Sequence, residues 1–84
     1  MPTAREEILT ALKGHGWKVA KDDAPTLIAG WKSLRVIVQF DSRDSVRGAA
    51  IRYYLPFNQG SRMEPIYTDR RHKVLAFIRG EGRA

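Results

Sequence analysis

The sequence contains no cysteine among its 84 residues, which excludes a disulfide framework and any metal site with thiolate ligands. Its longest apolar run, Val74 to Ile78, is far shorter than the roughly 20 residues that span a bilayer. The first residues, "MPTAREE", are acidic and polar, unlike the start of a secretory signal. We therefore expect a cytoplasmic protein without a membrane partner, a metal or a cofactor.

Acidic residues are also scarce, with nine Asp/Glu against 15 Lys/Arg and a net charge of +6. Residues 1–42 hold six Lys/Arg and five Asp/Glu, whereas residues 43–84 hold nine and four, and eight of those nine cations are Arg. The planar guanidinium group can donate two parallel hydrogen bonds to one phosphate, so the excess of arginine favours a polyanionic partner. A high arginine content can also reflect only the base composition of a genome.

The remaining composition is that of an ordinary globular protein, 43% hydrophobic and 29% charged. A chain of this length forms one domain and buries only about 60–65% of its unfolded surface. We expect residues 1–80 to form a single α+β domain and residues 81–84 a flexible tail. The predicted order is α-β-β-β(-β)-α, an antiparallel sheet with two helices packed on one face.

The first helix has a signal at each end. Thr3 and Glu6 have the spacing of a capping box, and Ile8, Leu9 and Leu12 form an apolar stripe. Gly14 is the predicted left-handed residue that ends the helix, with Gly16 preventing its continuation.

Strand signals fill the middle of the chain. "WKVAK" predicts a short strand ended by the turn "DDAP", and "TLIAGW", residues 26–31, predicts either a second strand or a helical turn that starts at Pro25. "LRVIVQF" and "VRGAAIRYYL" alternate on either side of the turn "DSRDS". Their predicted inward residues are Leu34, Val36, Val38, Phe40, Ala49, Ile51, Tyr53 and Leu55. Gly48 to Ala50 is a weak stretch for a strand and a candidate for a bulge or for close backbone approach.

The end of the chain leaves one boundary open. "PFNQGSR" has the composition of a loop, and "VLAFI" supplies the apolar side of a last helix that stops at Gly80. "EPIYT" is either a short extended segment or the first turn of that helix, which begins at Pro65 or near Asp69.

Catalytic residue types are few. A Cys/His pair is excluded, and a Ser/His/Asp set needs a larger framework than 84 residues usually supply. The aspartates lie in predicted turns, where Asp ordinarily accepts backbone hydrogen bonds. We predict that the protein is not an enzyme. The residues to test for catalysis are His15, His72, Asp41 and Asp44.

The leading interpretation is a nucleic-acid-binding module for DNA or RNA. "DRRHK" places cations in the predicted first turn of a helix, where the dipole disfavours them unless an anion is bound. On the outer face of the predicted sheet, guanidinium groups and a tyrosine ring are suited to phosphates and bases. Trp17 and Trp31 are assigned to the core, with base stacking as the alternative. The candidate nucleic-acid-binding residues are Arg35, Arg47, Arg52, Tyr54, Arg62, Arg70, Arg71 and Lys73.

The alternative interpretation is a protein-interaction module, such as a small inhibitor, an adaptor or a phage-type accessory protein. It would use the outer face around Ile37 and Tyr54, or an edge strand, to bind a protein partner or a second copy of itself. A contiguous basic surface favours the first interpretation, and scattered arginines favour the second.

The α-β-β-β-α order resembles that of double-stranded-RNA-binding domains and of HicA-type mRNA-interferase toxins. In those toxins, too, the first helix leads into a "GW" strand, as "ALKGHGWKV" does here. The toxin pattern also has a histidine on a strand after a Gly-Ser pair, and "DDAPTLIAG" has none. The resemblance implies an architecture and no activity.

Overall fold

The computed structural model describes residues 2–23 and 25–80. The predicted tail, residues 81–84, lies outside the described residues. The elements, in chain order, are α1 (Ala4–Gly14), β1 (Lys18–Asp23), β2 (Thr26–Trp31), β3 (Leu34–Phe40), β4 (Val46–Tyr54), a 3-10 turn (Pro56–Asn58), β5 (Ser61–Ile66) and α2 (Arg70–Ile78). Within this described part, neither helix is long and apolar enough to cross a membrane.

The five strands form one antiparallel sheet in the order β1-β2-β3-β4-β5, so each strand pairs with its neighbour in sequence. This confirms the predicted α+β class with a helix at each end, and residues 26–31 are a strand. The sheet has five strands, two more than the α-β-β-β-α order that the two families share.

Both helices lie on one face of the sheet, as predicted. Alternate residues of β2, β3 and β4, such as Leu27, Val36 and Ile51, point towards the helices and are buried. From the helices, α1 contributes Ile8 and Leu12, and α2 contributes an apolar side to the same core. No helix of residues 2–23 and 25–80 lies on the opposite face of the sheet, which we call the open face.

The capping signal at the start of α1 is confirmed in part. The backbone N–H of Glu6 donates to Thr3 Oγ1 at 3.2 Å. The Glu6 carboxylate accepts from the Thr3 hydroxyl, so it does not complete the box at the Thr3 N–H. At the other end, Gly14 is still helical, and Gly16 has the left-handed backbone, with φ of 77°. The left-handed position therefore lies two residues later than predicted.

Residues 61–66, "SRMEPI", form the edge strand β5, which confirms the extended alternative for "EPIYT" and corrects the loop assignment of Ser61 and Arg62. Pro65 lies in this strand, which excludes a helix start at Pro65. An edge strand tolerates proline because one side of it needs no hydrogen-bond donors. Helix α2 instead begins at Arg70, with Asp69 as its N-cap residue. Gly80 follows α2 with φ of 84°, which confirms the predicted stop.

Three smaller predictions were also wrong. Asp22 and Asp23 are the last residues of β1 and not part of the turn. Leu55, predicted to point inward, lies beyond β4 and is 44% exposed. The irregularity in β4 falls at Arg47, one residue before the predicted bulge, since Phe40 pairs with Val46 and the next pair is Gln39 with Gly48.

The turn between β3 and β4 is built on Asp41, as its sequence indicates. Asp41 Oδ1 accepts from the backbone N–H groups of Arg43, at 2.8 Å, and Ser45, at 3.0 Å. These hydrogen bonds, with Ser45 the larger cause, lower the pKa of Asp41 below its ordinary value. The next aspartate, Asp44, adopts a left-handed backbone, and its carbonyl accepts from the N–H of Arg5. Both aspartates therefore have structural roles.

We expect Asp41→Ala to lower the Tm by a few degrees at neutral pH, because two turn N–H groups lose their acceptor. The pKa of Asp41 is lower in the folded protein than its ordinary value of 3.8, so the stabilisation by these hydrogen bonds is fully present above pH 3.8. This stabilisation is lost as the pH falls through the pKa of Asp41 in the folded protein. Thermal melts of the wild type and the variant should therefore converge in acid. Ser42→Ala, in the same turn, is the control and should not change the Tm. A gap between wild type and Asp41→Ala that stays constant down to pH 2 would contradict this role.

Candidate nucleic-acid interface

Two rows of residues cross the open face, because directly paired residues of neighbouring strands point to the same side. The cation row is Lys18, Gly30, Arg35, Arg52 and Met63. The apolar row is Ile28, Ile37, Ala50 and Pro65, with Lys21 at its β1 end. The face is therefore basic along one line and apolar along the next.

Arg35 is held flat across the sheet. Its Nη1 donates to the carbonyls of Lys32, at 2.9 Å, and Leu34, at 2.7 Å, and its guanidinium carbon lies 5.2 Å from the centre of the Tyr54 ring. A Cβ added at Gly30 would come within 2.9 Å of the Arg35 side chain. The glycine therefore leaves the space that Arg35 occupies, and Arg35 in turn orients Tyr54.

Arg52 is the direct cross-strand partner of Arg35. Its Nη1 donates to Ser61 Oγ at 3.2 Å. Among residues 2–23 and 25–80, neither arginine forms an ion pair. The carboxylate that the strand register places on the open face is Asp23, at the far end of β1. Two adjacent like charges destabilise an antiparallel pair unless an anion lies between them.

A cleft of about 560 Å³ continues the cation row at the β1 end. Lys18, Lys32 and Arg35 line it together with Gly16 and Gly30. The Lys32 ammonium lies 4.5 Å from the centre of the Trp31 ring, a cation–π distance. Three of the lining residues are thus cations, beside the apolar Val19, Ala20 and Trp31, and we call this opening the basic cleft.

The predicted cations of α2 lie in the helix layer, away from the open face. Each has an intramolecular partner: Arg70 Nε donates to the Ile66 carbonyl at 3.0 Å, Arg71 pairs with Glu7 of α1, and Lys73 donates to Thr68 Oγ1 at 2.9 Å. Of the three, only Arg71 has a carboxylate partner, because Arg70 and Lys73 donate to uncharged oxygens, as Arg35 and Arg52 do. The structure does not bring this group together with Arg35 and Arg52.

The other predicted arginines are also dispersed. Arg47 lies at the irregularity of β4 and is exposed. Arg62 pairs with Tyr53 across β4 and β5, which places it on the helix side, and its Nε is 3.7 Å from Glu64 Oε1. Of the eight predicted residues, the open face therefore holds Arg35, Arg52 and Tyr54.

The two tryptophans pack in or against the core. The ring centres of Trp17 and Trp31 are 6.1 Å apart, and Trp17 is only 6% exposed. Its Nε1 donates to the carbonyl of Ile78 in α2 at 3.1 Å.

The histidines are both exposed. His72 lines a shallow depression with Glu7 and Asp69, but it makes no hydrogen bond to either carboxylate in the described structure. The same part of the chain holds no group of three or more His, Asp or Glu residues that could bind a metal. We therefore assign no acid–base pair to this depression.

Sequence reasoning missed three residues near the Arg35–Tyr54 pair. Lys18 is the first residue of β1, and only the register of β1 on β2 places it in one row with Arg35, with Gly30 between them. Lys32 lies in the turn between β2 and β3. Phe57, within the segment predicted as a loop, is 91% exposed and has a left-handed backbone, with φ of 58°. In the sequence, Phe57 lies between Pro56 and a polar stretch, and this pattern could have indicated that its ring is exposed.

Comparison of the chain with protein-family models, with curated proteins and with solved structures gives no match.

Proposed function

We propose that this protein is a non-catalytic nucleic-acid-binding module and that the open face is its binding surface. The observation that carries the proposal is the adjacent pair Arg35 and Arg52, both without a carboxylate partner among the described residues. Two phosphates, one beside each guanidinium group, would relieve the repulsion between the two cations and accept their hydrogen bonds.

The neighbouring groups extend this contact. Lys18 and Lys32 in the basic cleft would each contact a further phosphate, since ammonium groups act as point charges for phosphate oxygens. Tyr54, held beside Arg35, presents a ring on which a base can stack. The ligand class is DNA or RNA.

The test is binding of the purified protein to fluorescent DNA and RNA oligonucleotides, single- and double-stranded, by anisotropy. Four phosphate contacts, by Lys18, Lys32, Arg35 and Arg52, predict that affinity falls about 50- to 150-fold between 50 and 200 mM salt. The absence of binding to every oligonucleotide at 50 mM salt would refute the proposed function.

The apolar row, together with the scattering of Arg47, Arg62, Arg70, Arg71 and Lys73 away from the open face, favours one alternative, a protein partner or a homodimer on the same face. Pairing of a partner strand with either edge of the sheet is less favoured. Edge strand β1 is highly charged, and its pairing with β2 is irregular between Val19 and Lys21. Edge strand β5 contains Pro65, which lacks a backbone N–H. Concentration-dependent sedimentation distinguishes the homodimer. A dimer that persists in high salt and excludes oligonucleotides would support the alternative over nucleic-acid binding.

A further inference from the structure

The exposed apolar side chains are concentrated at one end of the sheet. Five large ones are exposed in the described residues, and four of them lie in β4, β5 or the loop between them. These four are Tyr54, Leu55, Phe57 and Met63. The fifth, Tyr67, follows β5 at the opposite end of the sheet, where Ile66 pairs with Ala49.

Phe57 is the most exposed of the five and adopts a backbone that bulky residues rarely adopt. The loop that carries it is closed by a hydrogen bond from the Leu55 N–H to the Gly60 carbonyl. It adjoins the turn of Lys32 and Ser33, because the Tyr54 N–H donates to the Ser33 carbonyl. The exposed ring therefore lies at the end of the sheet that also holds the basic cleft.

The open face is poorly suited to a duplex. A duplex presents phosphates and groove edges, so contact with it would remove water from Ile28, Ile37 and Ala50 without an apolar surface in return. A single strand presents unstacked bases, which pack on apolar and aromatic side chains while the phosphates follow the cations.

We propose that the ligand is a single-stranded nucleic acid and that Phe57 is a second base-stacking residue beside Tyr54. This inference rests on the proposed function and makes it more specific. The bases cover the apolar row and the two rings, and the phosphates follow the cation row into the basic cleft.

The test compares a single-stranded oligonucleotide with the duplex of the same sequence, for wild type, Phe57→Ala and the matched control Tyr67→Ala. We expect tighter binding of the single strand. Phe57→Ala should weaken single-strand binding about 5- to 150-fold, the range for one stacked base, and leave duplex binding unchanged. Tyr67→Ala should bind both ligands as the wild type does. Both rings are exposed, so neither variant should unfold, which circular dichroism verifies.

Three outcomes separate this inference from the proposed function. Duplex binding as tight as single-strand binding overturns the single-strand assignment and leaves nucleic-acid binding in place. A loss in Phe57→Ala no larger than in Tyr67→Ala overturns the stacking role of Phe57. If no oligonucleotide binds, the proposed function itself fails.

Discussion

Replacing Arg35 and Arg52 together by glutamine should weaken nucleic-acid binding about 70- to 200-fold at 50 mM salt. Each phosphate contact changes the logarithm of the binding constant by about 0.7–0.9 per tenfold change in salt. The 50 mM condition lies about 1.3 tenfold steps below 1 M salt, where this contribution vanishes, so two contacts account for this range. The same variant should lower the slope of log affinity against log salt by about 1.4–1.8. Glutamine keeps part of the side-chain stem over Gly30 and Tyr54, so the sheet surface is largely retained.

Two control variants locate the effect on the open face. Arg62→Gln removes one arginine of the C-terminal half from the helix side of β5 and should bind nearly as the wild type does. Arg70→Gln with Arg71→Gln removes two cations that already have partners, Ile66 and Glu7, and should also have a small effect. If this second pair abolishes binding and the open-face pair does not, the binding surface is the start of α2.

The largest loss of stability is expected for Trp17→Ala. Trp17 packs on Phe77, with ring centres 5.7 Å apart, and on Trp31, and its indole N–H donates to the Ile78 carbonyl. Truncating a buried aromatic costs about 3–5 kcal/mol, against a total of roughly 4–13 kcal/mol for a domain of this size. The Tm should fall by about 12–40 °C, measured by circular dichroism.

Trp17→Phe separates packing from the hydrogen bond. It keeps an aromatic ring against Phe77 but removes the indole N–H, so we expect a smaller loss of about 1–2 kcal/mol. Tyr67→Ala, at an exposed ring, should change stability by no more than about 0.5 kcal/mol. A Trp17→Ala protein that melts within a few degrees of the wild type would contradict the role of Trp17 in joining α2 to the sheet.

Local signals predicted the parts of the fold that have one buried and one exposed side. The alternation in β3 was correct for Val36 and Val38, and Asp41 formed the turn that its neighbours indicate. The edge strand β5 has no such alternation, because its residues on the helix side and on the open face are all exposed except Ile66. Its pairing depends on β4, which no local pattern in "SRMEPI" reveals.

The candidate site was predictable only within one hairpin. Alternation places Arg35 and Arg52 on the same face once β3 and β4 are paired. Lys18 joins them through the register of β1 on β2, a non-local property. Arg71 was predicted from its place in the first turn of a helix, and it lies apart because α2 packs on the other side of the sheet.

The placement of α1 and α2 also affects synthesis of the chain on the ribosome. The five strands can pair one after another as they are made, but the helix side of the sheet is complete only when α2 follows. Until α2 packs on the sheet, Val36, Val38 and Ile51 lack part of their cover, so we expect the incomplete sheet to expose an apolar surface.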